Sequence, residues 1–156
     1  MTSPQALLSL LAHAERERNV AMSEAKRVEM EHRNAQRQAE QLLAYRGEYE
    51  QRWSQRFSAG AGGGIAIVQC YQGFMERLGE AVAAQHRVVA MAAQRLECAQ
   101  AQWQQQEIRV AAIRKLIERR SAEARSAESR REQKQQDEHS VRAAWQRSAG
   151  AALAPL

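Results

Sequence analysis

The stretch from Ser58 to Gly64 is the feature that most constrains how this chain of 156 residues can fold. It holds four of the eight glycines, three of them consecutive. Because glycine is about 1 kcal/mol less favourable than alanine inside a helix, this stretch predicts a helix break. The segments on either side have no proline between Pro4 and Pro155 and are rich in helix-forming residues. The simplest prediction is two long helices folded back on each other about residues 58–64.

The composition agrees with long helices rather than with a compact globule. Aromatic residues make up 5% of the chain, charged residues 26%, and the apolar 44% relies heavily on alanine. Such a mixture is typical of coiled coils, which bury a narrow seam and not a deep core. No apolar run approaches the roughly 20 residues of a membrane span, and the apolar patch near the N-terminus has no basic start of the kind a secretory signal has. We therefore expect a soluble protein.

Apolar residues recur every seven positions before the glycines, which indicates a coiled-coil seam. One series is apolar throughout and consists of Leu7, Ala14, Ala21, Val28, Ala35, Leu42 and Tyr49. A second series is interrupted by polar residues and consists of Leu11, Arg18, Ala25, His32, Ala39, Arg46 and Trp53. Ser3 and Pro4 suit the start of a helix, as a capping residue and a first helical residue. The predicted first helix covers residues 4–57.

The same period resumes after the glycines and predicts a second helix over residues 65–147. The main series consists of Val68, Met75, Val82, Val89, Leu96, Trp103, Val110, Ile117 and Ala124. A companion series, three residues further on, consists of Tyr71, Leu78, Gln85, Ala92, Ala99, Gln106, Ile113, Arg120 and Ala127. Two such helices joined by a short turn must pack antiparallel.

The two predicted helices differ in length, so the second must extend beyond the first. In an antiparallel hairpin the start of the first helix lies near Glu118, and residues 119–147 then have no partner within the chain. Gly150 and Pro155 lead us to expect disorder over residues 148–156. The predicted fold is all-α: a single two-helix antiparallel coiled-coil hairpin over residues 1–147, whose longer second helix overhangs at its C-terminal end.

The formal net charge of +5 belongs entirely to the C-terminal part of the second helix. Residues 109–147 contain eleven Lys or Arg against six Asp or Glu, whereas the rest of the chain holds twelve of each. A basic segment invites a nucleic-acid interpretation, but acidic residues interleave with the basic ones and Trp145 is its single aromatic. A dedicated nucleic-acid helix usually shows a purer basic face, so we expect no nucleic-acid partner.

Motifs that carry catalysis or bind a cofactor are not recognised in this chain. The four histidines, which are His13, His32, His86 and His139, have no second metal ligand at helical spacing. The glycine stretch lacks the Gly-Lys-Ser/Thr ending of a phosphate loop. Cys70 and Cys98 would lie about 42 Å apart on one helix, too far for a disulfide. We therefore expect no catalytic residue, no metal, no cofactor and no enzymatic activity.

Two aromatic groups flank the predicted turn. Tyr45, Tyr49 and Trp53 follow one another at intervals of four on the first helix, while Tyr71, Phe74, Met75 and Leu78 open the second. They either close the seam at the turn or form a docking surface for a partner. Tyr45 and Phe74 lie off the seam, and off-seam aromatics on a coiled coil are expected to be exposed, which favours docking.

The residues around the turn resemble the FliJ family, the small coiled-coil component of the flagellar type III export apparatus. The most specific parts are Leu-Leu-Ala-Tyr-Arg-Gly-Glu-Tyr over residues 42–49 and Tyr-Gln-Gly-Phe-Met-Glu-Arg-Leu over residues 71–78. Gln-His-Arg at 85–87, Trp103 and the mixed-charge run over residues 128–138 extend the resemblance. The glycine-rich turn departs from the family pattern.

The resemblance implies a non-enzymatic stalk that couples the export ATPase ring and substrate chaperones to the membrane export gate. The implied partners are the flagellar export ATPase and its regulator, the cytoplasmic domain of the gate protein, and the export chaperones. The implied location is the cytoplasm, at the inner face of the cell membrane at the flagellar base. Membrane association there is expected only through partners. The implied processes are flagellum biogenesis, motility and chemotaxis.

Two sets of candidate partner-binding residues follow. The family's gate-contact positions correspond here to Gln38, Leu42, Tyr45, Tyr49, Phe74, Leu78 and Ala81. Our hypothesis for the ATPase contact is the basic set Arg114, Lys115, Arg119, Arg120, Arg130 and Arg131. Two alternatives remain open from the sequence: the equivalent stalk protein of a virulence type III secretion system, and a generic structural coiled coil that self-associates through its overhang.

Overall fold

Two α-helices make up the fold in the computed structural model, which describes residues 3–60 and 63–155. Helix α1 spans Pro4–Ser58 with 55 residues, and helix α2 spans Ile65–Ala152 with 88 residues. They contact each other as a hairpin in which α2 is the longer helix, so the predicted fold is confirmed. Within the described residues, no helix is both long enough and apolar enough to cross a membrane.

Helix α1 begins where the sequence predicted, with Ser3 as its cap and Pro4 as its first residue. The backbone N–H of Ala6 donates to the Ser3 hydroxyl oxygen at 3.2 Å, and the N–H of Leu7 donates to the Ser3 carbonyl at 3.2 Å. Proline suits this position because its missing N–H would have no partner within the helix. The cap typically stabilises a helix by about 1 kcal/mol.

Helix α1 ends one residue later than predicted, at Ser58, and the glycine stretch separates it from α2. The N–H of Ala59 still donates to the Gln55 carbonyl at 3.0 Å, and Gly60 then adopts φ of 70°. A left-handed residue of this kind terminates a helix, and glycine adopts it without steric cost. Ala61 and Gly62 of the predicted turn lie outside the described residues.

Helix α2 extends beyond its predicted end at residue 147, and the expected disorder does not hold for residues 148–152, which are helical. A single glycine, Gly150, costs only about 1 kcal/mol and is flanked by alanines, the best helix formers. The Ser148 hydroxyl also donates to the Trp145 carbonyl at 2.9 Å. Pro155 lies past the end of the helix, and Leu156 is outside the described residues.

One compact unit comprises Ala14–Ile108 and contains the turn. Its buried residues all fall on the predicted heptad series; they are Ala14, Ala25, Val28, Ala35, Ala39, Leu78, Val82, Ala92 and Ala99. Ala25, Val28 and Ala99 form a core cluster against which Leu96 and Trp103 pack. The seam of this unit is therefore built mainly from alanine, which permits the helices to approach closely.

Polar residues on the seam of this unit connect the two helices. The Gln85 side-chain amide donates to the Ala35 carbonyl at 3.0 Å and to the Gln38 side-chain oxygen at 3.3 Å. The Arg18 Nε atom lies 3.8 Å from Oε1 of Glu107. Because polar seam residues find their partners in one alignment only, they help to specify the register between the helices.

The other compact unit comprises Met1–His13 and Arg109–Leu156. Leu7, Val110 and Ile113 are its buried apolar residues among those described. From Glu118 to Pro155 every residue is exposed, which matches the predicted overhang. This part of α2 is supported by local contacts such as the ion pair between Arg119 Nε and Glu123 Oε1 at 3.4 Å.

Candidate functional site: two docking surfaces

A row of four aromatic rings runs along one face of α1 next to the turn. Tyr45, Tyr49, Trp53 and Phe57 recur every four residues, so successive rings lie above one another. Their centroids are 6.2 Å apart for Tyr45 and Tyr49, 6.0 Å for Tyr49 and Trp53, and 5.3 Å for Trp53 and Phe57. The helix spacing alone thus produces a continuous aromatic surface.

Two rings from α2 complete this surface and tie it to the second helix. Phe74 packs on Tyr49 with centroids 4.3 Å apart, and Tyr71 packs on Trp53 at 5.0 Å. Tyr71 also reaches Phe57 at 6.0 Å. Aromatic pairs at these distances contribute about 0.5–1.5 kcal/mol each beyond burial. We call the six rings, Tyr45, Tyr49, Trp53, Phe57, Tyr71 and Phe74, the aromatic cluster.

Tyr45, the ring of the cluster that lies farthest from the turn along α1, is accessible to a partner. Tyr45 is 49% exposed, as its off-seam position predicted. Phe74 was expected to be exposed as well, but it is half-buried because its ring packs against both Tyr49 and Tyr45. Phe57 is exposed and was not selected from the sequence, although it continues the four-residue spacing of the row.

The structure places the seven predicted gate residues on neighbouring levels of the hairpin. The contacts of Gln38 with Gln85 and of Tyr49 with Phe74 fix the register at both ends of the set. This register puts Leu42 level with Ala81, and Tyr45 level with Leu78. Gln38, Tyr45 and Ala81 are exposed, Leu42, Tyr49 and Phe74 are half-buried, and Leu78 is buried.

Charged side chains lie beside the aromatic cluster on α1. Arg46 pairs with Glu50, with Nε and Oε1 3.2 Å apart, and the guanidinium carbon of Arg56 lies 5.5 Å from the centre of the Trp53 ring. Cation–π contacts of this kind are favourable, more so when water is excluded. A polar rim around an apolar centre is the usual organisation of a protein–protein interface.

The predicted basic residues form the second surface, on α2 within the unit that contains residues 109–156. Six exposed side chains belong to it: Arg114, Lys115, Arg119, Arg120, Arg130 and Arg131. Lys115 and Arg119 line a shallow depression together with Ala112 and Leu116. Arg130 and Arg131 lie about 15 Å further along the helix, at 1.5 Å per residue. The six are therefore spread along and around this part of α2 and do not form a compact site.

Neither surface contains the features of a catalytic or metal centre. Among the described residues, no group of three or more His, Cys, Asp or Glu side chains could hold a metal ion. A clear shift of a carboxyl pKa occurs elsewhere, at Glu24, where a hydrogen bond from Arg27 and its positive charge hold the pKa below its ordinary value. Arg27 also pairs with Glu31, so this is a surface ion-pair network on α1.

Comparison with protein families matches residues 3–149 to the family described as Flagellar FliJ protein. The chain belongs to the FliJ family. The match spans α1, the turn and nearly all of α2, so it confirms the resemblance seen around the aromatic residues. Searches among curated proteins and among solved structures gave no match.

Membership of the FliJ family makes this chain a flagellar export protein with the form of a coiled-coil hairpin. It favours the flagellar interpretation over the virulence secretion system and over a generic coiled coil. FliJ is a structural component of the export apparatus and is generally not an enzyme. The two surfaces are therefore best considered as sites for protein partners.

Proposed function

We propose that this FliJ-family chain is a stalk that couples the export ATPase ring and the substrate chaperones to the membrane export gate. The observation that carries the proposal is the aromatic cluster, a six-ring patch bridging both helices with Tyr45 accessible at its edge. The chain would act in the cytoplasm at the flagellar base and reach the membrane only through its partners. Its contribution to motility and chemotaxis would follow from flagellar assembly.

The aromatic cluster has the properties of an interaction hot spot for the gate. Interface energy concentrates in aromatic residues that are held rigidly and become fully covered on binding. Here Tyr45 is held on one side by Tyr49 and on another by Phe74, so little side-chain freedom is lost when a partner covers it. Gln38 and Ala81 would contact the gate beside Tyr45, while Leu78 and Phe74 support the surface from beneath.

The basic surface of α2 is the proposed contact with the ATPase and its regulator. Its residues are exposed guanidinium and ammonium groups, which suit acidic partner surfaces and raise the association rate. The acidic residues that interleave with them reduce attraction to nucleic acid, in keeping with a protein partner. Chaperone binding comes from the family role, and no residue is assigned to it.

The gate contact is tested by titrating the chain against the purified cytoplasmic domain of the export gate. Tyr45→Ala should weaken binding about tenfold, because truncation of an interface hot spot typically costs more than 1 kcal/mol. Leu43→Ala is the matched control, since Leu43 is 44% exposed and points away from Tyr45 on the same helix. Both variants should keep the helical circular dichroism of the wild type. Equal affinity for all three proteins would contradict the gate assignment.

The ATPase contact is tested with the double charge reversal Arg130→Glu, Arg131→Glu. Stimulation of the export ATPase should fall, and its remaining salt dependence should weaken, because exposed charges act through screened attraction. Arg87→Glu, Arg95→Glu reverses two exposed charges elsewhere on α2 and should leave stimulation unchanged. An equal loss in both double variants would mean that overall charge, not this surface, is responsible.

A further inference from the structure

The last turns of α2 carry apolar side chains that none of the described residues covers. Val141 is 57% exposed and Trp145 is 74% exposed, and Ala149 and Ala152 follow on the same side of the helix. A tryptophan this open on a regular helix leaves a large apolar area in water. We call Val141, Trp145 and Ala152 the distal stripe.

The distal stripe continues the heptad series of the seam. Val141 lies four heptads after Ile113, and Trp145 lies four heptads after Ile117. Ile113 is buried and Ile117 half-buried in the unit that includes the start of α1. Between these levels the seam positions are Arg120, Ala124, Ala127, Arg131, Lys134 and Glu138, and the last three form a polar interval. Beyond Ile117 the seam thus fades to Ala124 and Ala127, becomes polar from Arg131 to Glu138, and is apolar again at Val141 in the same register.

Apolar residues in a heptad register stay on one face of a helix only when the helix winds around a helical partner. In a straight α-helix, residues seven apart drift by about 20° per heptad, so four heptads amount to about 80°. A second helix that winds around the first removes this drift and keeps the positions on one line. The distal stripe therefore favours a helical partner over a flat one, and nothing in the described residues of this chain supplies that helix.

The charges around the distal stripe define the chemistry of the partner. The last acidic residue of the chain is Glu138, whereas Arg142 and Arg147 follow among the apolar residues. At the preceding seam levels, Arg131, Lys134 and Glu138 would face the partner directly, so cations outnumber anions there by two to one. A second copy in parallel would place each of these cations against its own counterpart, which is unfavourable. An acidic helix would instead neutralise them.

We infer that the distal stripe is a coiled-coil docking site for an acidic helix of another protein. Trp145 is the main anchor, Val141 and Ala152 complete the apolar seam, and Arg131, Lys134 and Arg142 pair with the partner's carboxylates. The site shares only Arg131 with the proposed ATPase surface. It extends the function of the chain with one further partner, recognised by its helical form and its charge.

The test uses two synthetic helical peptides of about three heptads with leucine at the a and d positions. One carries glutamate at the e and g positions and the other carries lysine there. Fluorescence anisotropy of the labelled peptides measures their binding to the full chain. The glutamate peptide should bind and lose affinity as salt is raised, and the lysine peptide should bind at least about tenfold more weakly.

The variant Val141→Ala, Trp145→Ala should lower affinity for the glutamate peptide about tenfold or more, as expected for a hot spot. Val20→Ala, which removes an exposed apolar side chain from α1, should change this affinity less than about twofold.

Equal binding of the two peptides, or no binding of either, would overturn the inference. So would a Trp145-dependent dimer in sedimentation equilibrium, or Trp145-dependent binding to phosphatidylglycerol vesicles. The assay contains no export protein, so its failure leaves the gate and ATPase proposals standing.

Discussion

At the scale of single residues, two glutamines on one heptad series have opposite surroundings. Gln85 donates two hydrogen bonds to α1, to the Ala35 carbonyl and the Gln38 side chain. Gln106 occupies the equivalent position three heptads later, but its side-chain oxygen is buried without a hydrogen-bond partner among the described residues. A buried acceptor that loses water and gains no donor typically costs about 1–3 kcal/mol.

The variant Gln106→Leu should therefore raise the free energy of unfolding by about 1 kcal/mol, because it removes the unpaired acceptor and adds an apolar side chain to the seam. Urea unfolding followed by circular dichroism measures the change. Gln85→Leu is the control and should gain less, since it gives up two hydrogen bonds. A loss of stability in Gln106→Leu would show that its oxygen is paired in solution.

Gly60 provides the second test at this scale, because it has a left-handed conformation with φ of 70°. Gly60→Ala should lower the free energy of unfolding by about 1 kcal/mol, which is the usual cost of an L side chain in this region. At Gly64 a Cβ would meet nothing within 4 Å and φ is not positive, so Gly64→Ala should be neutral or slightly stabilising. Equal effects of the two substitutions would contradict this account of the turn.

At the scale of the helices, heptad periodicity accounts for both elements and for every buried position among the described residues. It works because a seam repeating every seven residues admits few other arrangements, even where Arg18 or Gln85 replaces an apolar residue. The end of α2 was predicted at residue 147 but lies at Ala152, because one glycine weakens a helix without terminating it. The burial of Phe74 was missed because it depends on the neighbouring Tyr49 ring, which heptad positions do not describe.

The overhanging part of α2 should be dispensable for the stability of the hairpin. Residues 118–155 are all exposed, so they bury little apolar area. A chain ending at Ala127 should keep its free energy of unfolding within about 0.5 kcal/mol while losing the helical signal of residues 128–152. Thermal and urea unfolding by circular dichroism measure both quantities. A markedly less stable truncated chain would show that the overhang packs on something.

At the scale of the whole molecule, the fold restricts function to surfaces on paired helices. Family membership over residues 3–149 accounts for the general role, and the aromatic residues that suggested it are those that cluster at the turn. The candidate gate residues could be chosen from the sequence because the family positions fall on one face. The sequence could not predict which of these residues are accessible to a partner. Leu78 and Tyr45 lie at the same level of the hairpin, yet Leu78 is buried and Tyr45 is exposed.

The alanine seam has a consequence for how such a chain can vary over evolutionary time. Ala14 is fully buried, and five further alanines are nearly so, which leaves no room for a larger side chain between the helices. Enlarging a closely packed site typically costs about 1–3 kcal/mol. The smallest side chains are thus the least replaceable, whereas the exposed aromatic and basic residues can change with each partner. Substitutions at exposed partner-binding positions are therefore compatible with this fold as long as the seam alanines are kept.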